Sequence, residues 1–199
     1  IGVDLGLKEF ATIVLNDNDK HIVKVFKSLK DKYKQISLRK KRLDRKISKR
    51  LLENKKKGNV TKSQNFKKLF KKRLKLTQRI TNIQKDNIYQ CISYMVKSKP
   101  KRIVIEDLNI KGMMKNKKLA KWISFNQFYN FKRILSYKCE MNGIDLVIAD
   151  RWFPSSKTCS CCGAIKKSLS LSERTYICDC GYIEDRDINA AINLSNYSH

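Results

Sequence analysis

Residues 183–194 read I-E-D-R-D-I-N-A-A-I-N-L, and the rest of the chain is best understood outward from them. Ile188, Ala191, Ile192 and Leu194 recur at helical spacing and give a short apolar face. Asp187 stands where an N-cap or first-turn residue would stand. A carboxylate fixed at a helix start is held by backbone donors and can be aimed at a metal with little freedom. One carboxylate cannot hold a catalytic pair of metal ions, so partners are expected elsewhere. Asp4 and Glu106 are the two candidates, each on or at the end of an apolar strand.

The strand that carries Asp4 opens the chain. In I-G-V-D-L-G-L, Ile1, Val3 and Leu5 alternate onto one face and Asp4 onto the other. An unpaired buried carboxylate is costly, so an aspartate here implies a purpose. Gly2 and Gly6 flank it and would let a backbone or a phosphate come close. Phe10–Leu15 reads as a buried strand, residues 16–19 (N-D-N-D) as a turn, and Ile22–Phe26 as the returning strand. The chain begins with Ile and not Met, and the expectation is a piece of a longer protein that lacks its N-terminal part.

Glu106 closes a second apolar run, R-I-V-I-E-D-L-N-I at 102–110. Ile103, Val104 and Ile105 predict a buried strand with acids at its C-terminal edge, where open α/β sheets place their ligands. Residues 111–123 are expected to form a basic loop or a short helical turn. Ser124 with Gln127 reads as a capping box, starting a helix that turns Phe128, Phe131, Leu135 and Cys139 inward and stops at Gly143. Ile144–Ala149 is expected to be another buried strand, closed by Asp150 and Arg151, after which Trp152-Phe153-Pro154 turn the chain away.

Between the two acid-bearing strands the composition changes. The chain holds 45 Lys and Arg against 18 Asp and Glu, a formal charge of +27, and the excess is densest from Tyr33 to Lys57. Beneath that charge Ile36, Leu43, Ile47 and Leu51 keep helical spacing, and Gly58-Asn59 are expected to stop the helix. A second apolar pattern runs from about Lys62 to Lys97. Two long antiparallel helices are predicted, apolar stripes together and cations outward. A solvated face normally mixes its signs, yet acids are scarce here, so the face is expected to bind phosphates. Arg39, Lys40, Lys41, Arg42, Lys46 and Arg50 are the candidate contacts, with Arg151 and Lys157 further on. Such an excess costs self-repulsion and has no use in an enzyme of neutral small molecules. A membrane surface is the main alternative partner, but the apolar and basic faces do not form one amphipathic anchor. No run approaches the ~20 apolar residues of a membrane span, Asp4 interrupts any signal peptide, and a cytoplasmic, nucleoid-associated protein is expected.

Five of the 7 cysteines crowd into residues 159–180. Cys159 and Cys162 form C-x-x-C before Gly163, and Cys178 and Cys180 form C-x-C before Gly181. In such knuckles glycine permits the positive-φ turn that aims backbone N–H groups at thiolates. Four thiolates in two pairs match tetrahedral Zn²⁺, and four protein ligands make the site structural. An iron–sulfur cluster is the runner-up. Cys161 could compete with Cys162, which is preferred for its following glycine, and the second pair is one residue shorter than usual. Lys166, Lys167 and Arg174 lie between the pairs and could touch nucleic acid. Cys91 and Cys139 fall in helical pattern and read as core thiols.

Four segments, I-G-V-D-L-G, I-V-I-E-D-L-N-I-K-G-M, D-R-W-F-P-S-S-K-T-C-S-C-C-G and D-R-D-I-N-A-A-I-N-L, occur in the order of one family. They resemble the RuvC-like nuclease half of transposon-encoded TnpB proteins, relatives of the type V CRISPR effector nucleases. The resemblance implies an α/β, RNase H-like (RuvC) fold with a zinc ribbon before the last catalytic motif. It divides the chain into RuvC-like parts at 1–30, 100–154 and 184–199, a basic helical hairpin inserted at 31–99 and the ribbon at 155–183. It implies catalytic acids at Asp4, Glu106 and Asp187; of the neighbouring Asp185 and Asp187, the family pattern selects the one two residues before the asparagine. Asp107 beside Glu106 should point the opposite way. RNA-guided DNA cleavage is implied, with a guide RNA and a DNA target as partners. The three acids would hold two Mg²⁺ (or Mn²⁺) ions ~4 Å apart for phosphodiester hydrolysis, hard oxygen ligands suiting those ions and not zinc. The alternatives are a silent RNA-guided or plain DNA-binding protein, and a DNA-strand transferase using the same acids.

Overall fold

A computed structural model describes residues 1–17, 20–56, 58, 63–170 and 172–198. The predicted turn at 16–19 and the helix stop at Asn59 therefore fall in part outside the described residues, as does Lys62. The chain forms two compact units, one of residues 1–28 with 88–199 and one of residues 29–87.

The first unit is built on a five-stranded mixed sheet. β1 (Gly2–Leu5), β2 (Glu9–Asp17) and β3 (Lys20–Lys27) are the predicted antiparallel strands; β4 (Arg102–Glu106) and β5 (Asp145–Ala149) add in parallel. The order is β3-β2-β1-β4-β5. Alternation sends Val3, Leu5, Ile103 and Ile105 to one face. There they join Phe10, the last turns of a long helix (Ile88, Cys91, Ile92, Met95) and α-helical residues Phe128, Phe131, Leu135 and Cys139. Phe10 stacks on Phe128 at 6.2 Å and meets Phe131 edge-on at 5.7 Å, and burying each such ring is worth roughly 1.5–3 kcal/mol. The lone cysteines 91 and 139 are indeed core thiols, at 0% and 1% exposure.

The opposite face of the sheet carries Val14, Val104 and Val147, covered by Ala191, Ile192 and Leu194 of the C-terminal helix. A sheet buried on both faces explains why β2 and β4 read as nearly continuous apolar runs. β5 differs from the expected buried strand. It is the last strand of the order, so only one edge is paired, and Asp145 and Ile148 are exposed.

The second unit is a helical hairpin made of α1 (Lys30–Lys56) and the first part of α2 (Gln64–Lys97). Ile36, Ile47 and Phe66 are buried, while Leu51 of the predicted stripe and Phe70 of α2 stay partly exposed. Asp44 accepts from Arg73 of α2 at 3.1 Å, which ties the two helices, and from Lys40 of its own helix at 3.3 Å. Among the described residues no helix is long and apolar enough to cross a membrane.

Between β4 and β5 the segment expected as a basic loop or a short helical turn takes the helical form, in two helices. α3 (Ile110–Met114) is capped by Asn109, whose side chain accepts from Gly112 N at 2.9 Å, and α4 (Lys117–Asn126) by Asn116, which accepts from Lys118 N at 3.0 Å. Two asparagine caps satisfy donors that a basic loop would leave to water. The expected capping box at Ser124 and Gln127 does not form. Ser124 lies inside a helix already started at Asn116, and Gln127 takes a left-handed conformation (φ 52°) that hinges α4 to α5 (Phe128–Met141). The chain finishes with β6 (Thr175–Ile177), β7 (Ile183–Asp185) and α6 (Arg186–Ser195).

α6 crosses β1 at Gly2. A Cβ on Gly2 would lie 2.0 Å from the Ala191 carbonyl oxygen and 2.3 Å from Ser195 N, both backbone atoms that cannot swing aside. The Gly2→Ala protein is expected to lose about 3 kcal/mol of stability, the upper end of what overpacking costs, because the obstructing atoms are backbone. A lowered urea midpoint at unchanged slope would show it; an unchanged midpoint would refute the contact.

Candidate active site and metal centre

Strand register places the first two acids. Gly2 pairs with Val104 and Val3 with Ile105 in parallel, so Asp4 and Glu106, two residues beyond the first pair, share the α6 face of adjacent strands. Leu5 N donates to Glu106 Oε1 at 3.3 Å, and the Asp4 carboxyl shares a hydrogen bond with Glu106. Asp107 points the other way, as alternation predicts. It pairs with Arg151 and, at 3.8 Å, with Lys132.

The third acid arrives on α6. Its N-cap is Asp185, whose Oδ1 accepts from Asp187 N at 2.9 Å and Ile188 N at 3.4 Å. Asp187 is thus a first-turn residue. The backbone donors expected to hold it serve Asp185 instead, and Asp187 Oδ1 lies 3.6 Å from Arg186 Nε and 3.9 Å from Arg174 Nη1.

Asp4 and Glu106 feel each other and the charge of Asp187. Burial first, then the charges of Glu106 and Asp187, push the Asp4 carboxyl well above the usual range, with Arg186 opposing. Burial pushes Glu106 up to about 7; the Leu5 N–H and the Asp4 hydrogen bond resist, and Asp187 adds to the rise. Such a cluster is poised for a cation, which would relieve both burial and repulsion. The acids are nonetheless looser than a closed cage. Among the described residues only Cys159, Cys162, Cys178 and Cys180 gather their ligand atoms within 4.8 Å of one another.

Those four cysteines sit on two knuckles. Cys159 Sγ lies 3.8 Å from Cys180 Sγ, and Cys162 Sγ lies 3.6 Å from Cys178 Sγ. Gly163 and Gly181 have φ of 77° and 87°, the positive-φ turns expected from the motif. Burial works against the Cys159 thiolate, yet the N–H groups of Cys162 and Cys161 bring its pKa down to about 7. Cys161 is exposed and outside the group. The shortened second pair reaches the cluster all the same.

Two asparagines fasten this module to α6. Asn189, fully buried, accepts from Ser160 N at 3.0 Å and donates to Thr158 O at 2.7 Å; Asn193 donates to Ser155 O and Thr158 O, both at 2.7 Å. They were legible only as motif letters, although polar residues four apart on an otherwise apolar helix signal a buried partner. Arg186 was also missed. Its side chain is 13% exposed between Asp185 and Asp187, and a cation set between two acids in sequence was the available signal.

The candidate nucleic-acid contacts divide. Arg39, Arg42, Lys46 and Arg50 recur at three- and four-residue spacing and form one strip of α1; Lys41 is exposed beside them, and Lys40 is drawn to Asp44. Arg151 is held by Asp107. Lys157 lies in the cysteine module, where its carbonyl accepts from the buried Tyr176 hydroxyl at 3.0 Å.

Removing the Asn189 side chain should leave a buried donor without a partner and cost about 1–3 kcal/mol. Thermal unfolding of Asn189→Ala should show that loss together with weaker metal retention; wild-type behaviour in both would mean that the fastening is idle.

Comparison with known proteins follows the same outline. A family model described as "Probable transposase" (OrfB_IS605) matches residues 1–117, and one described as "Cas12f1-like, TNB domain" matches residues 128–194. A protein of Streptomyces pristinaespiralis named "Putative RNA-guided DNA endonuclease" is 41% identical over 132 residues, covering 66% of this chain and 33% of its own length. A protein of the same name from Mycobacterium tuberculosis is 34% identical over 129 residues, covering 62% of this chain and 28% of its own length. The chain thus spans about a third of the length of these curated relatives. Among solved structures, a chain of "Cryo-EM structure of CRISPR-Cas12f Ternary Complex" is similar in fold, with a TM-score of 0.66 at 22% identity over 98% of this chain and 38% of that one.

Proposed function

The chain belongs to the OrfB_IS605 family of probable transposases, the TnpB-like proteins its motifs resemble, and on that premise we propose that it cuts DNA under RNA guidance at a RuvC-like centre. The carrying observation is the register that sets Asp4 and Glu106 side by side beneath the helix bearing Asp187. In this reading the sheet with α6 is the RNase H-like domain, made of 1–30, 100–154 and 184–199. The helical hairpin at 31–99 is its insertion, and 155–183 is a zinc ribbon.

Asp4, Glu106 and Asp187 are the residues that would hold the catalytic cations, and hard carboxylate oxygens suit Mg²⁺ or Mn²⁺. Bound there, such ions supply Lewis-acid stabilisation of the phosphodiester and lower the pKa of the attacking water. The chain itself positions and balances charge. The Leu5 N–H orients Glu106. Asp185 caps α6 and so fixes the rise of Asp187 over the sheet. Arg186 and Arg174 offset carboxylate charge where a phosphate must approach. The α1 strip of Arg39, Arg42, Lys46 and Arg50 gives a guide RNA or its DNA target a phosphate-binding track.

Labelled single-stranded DNA incubated with Mg²⁺ or Mn²⁺ should be cut by the chain, and Asp187→Ala should lower the rate by about a hundred- to a thousandfold, the loss expected when charge stabilisation is removed. Equal cutting by the variant would refute the assignment of Asp187.

Four thiolates in a soft, closed set favour Zn²⁺ at the cysteine group. Metal analysis should find about one zinc per chain. Cys178→Ser should lose it, and Cys161→Ser should keep it. Zinc retained by Cys178→Ser would exclude this ligand set.

A further inference from the structure

Next to Glu106 the sheet edge opens into a cavity of about 200 Å³ that the carboxylate cluster leaves unused. Its walls are apolar, with Leu108, Ile110 and Phe128 among them, and its rim carries Tyr129 and Lys132. Tyr129 stands in the first turn of α5 and is 72% exposed. Its neighbour Phe128 is buried in the core, so the backbone beneath the exposed ring is firmly held. A rigid, exposed aromatic at the lip of an apolar recess is a stacking surface.

Size and charge restrict that occupant. The volume is below the roughly 300–1,000 Å³ of ordinary small-molecule sites, which leaves room for one flat group. At the rim Asp107 draws together two cations, Lys132 and Arg151, whose N–H groups give that corner donors for an anion. Glu106 belongs both to the cavity lining and to the carboxylate cluster. Whatever fills the recess therefore lies next to the acids, around the C-terminal end of β4. One planar, apolar-faced ring joined to an anion, and joined again to a reacting phosphodiester, describes a nucleotide in a strand.

We propose that this cavity seats the base of the nucleotide beside the phosphodiester being cut, with Tyr129 stacking on it and the Lys132–Arg151 corner facing the adjoining phosphate. The proposal rests on the nuclease reading above and deepens it. A paired base cannot leave its stack to enter such a recess without unpairing, so the geometry selects an unpaired strand. Tyr129 is then a positioning residue: it sets the phosphate against the acids and takes no part in the chemistry.

The test is photochemical cross-linking of the full chain to single-stranded DNA carrying 5-iododeoxyuridine at each position in turn, with cleavage followed in parallel. The expected result is a cross-linked peptide containing Tyr129, absent in Tyr129→Ala, together with a rate lowered about tenfold, as loss of one stacked base implies. Tyr129→Phe keeps a ring and should keep both the cross-link at that position and the rate. Cross-links confined to other peptides, or Tyr129→Ala cutting at the wild-type rate, would overturn the proposal. The Asp187→Ala chain separates the two readings. It should keep the Tyr129 cross-link while losing cleavage. Cleavage by that variant would sink the nuclease assignment, whereas a Tyr129 cross-link in a chain that cuts nothing would leave the base site standing without it.

Discussion

The close crossing of α6 over β1 is the constraint on which the candidate site depends. There is no space for a side chain at Gly2, because the Ala191 carbonyl and the Ser195 backbone stand where one would be. That approach lets the first turn of a helix at the end of the sequence share electrostatics with a strand at its beginning. Asp4 feels Asp187 through it. Small residues at 190 and 191, both buried, keep the helix low enough on the sheet. The same contact buries the second face of β1 and β4 and so makes the apolar runs around the acids necessary.

A second tie acts from the opposite side. The cysteine module is not a loose appendage, since Asn189 and Asn193 hydrogen-bond to the backbone that leads into its first knuckle. Arg174, from the segment before β6, reaches Asp187, and Arg174 O accepts from Arg186 N at 2.7 Å. Metal binding at the thiolates would therefore stiffen the α6 start through covalently short paths. This gives the four-cysteine group a physical reason to precede the last acid directly in the chain: it braces the helix that carries it.

Much of this is legible in the amino-acid sequence. Period-two alternation around Asp4 and the apolar run before Glu106 are strong signals, because each strand must present one face to each side of a buried sheet. Gly163 and Gly181 announced their positive-φ turns for the same kind of reason. What failed were local signals decided by context. Ser124 looks like a cap only if no helix has yet begun, and Asn116 had already begun one. Gln127 gives no hint that it adopts φ 52°, since that strain is held by packing on both sides. Ile144–Ala149 reads as a buried strand, but strand order, which no single segment encodes, puts β5 on an edge. The motif letters favour Asp187 over its neighbour but give no sign that Asp185 takes the cap and Arg186 pairs with Asp187.

The central claim is that Asp4, Glu106 and Asp187 act together as one divalent-cation site, distinct from the thiolate group. The most direct measurement is a Mn²⁺ titration of the zinc-loaded chain followed by electron paramagnetic resonance, run beside Asp4→Asn. The account predicts saturable Mn²⁺ binding in the parent chain that is lost in Asp4→Asn while zinc content stays the same. Mn²⁺ binding of equal strength in both would contradict it, because the carboxylate at the centre of the cluster would then hold nothing.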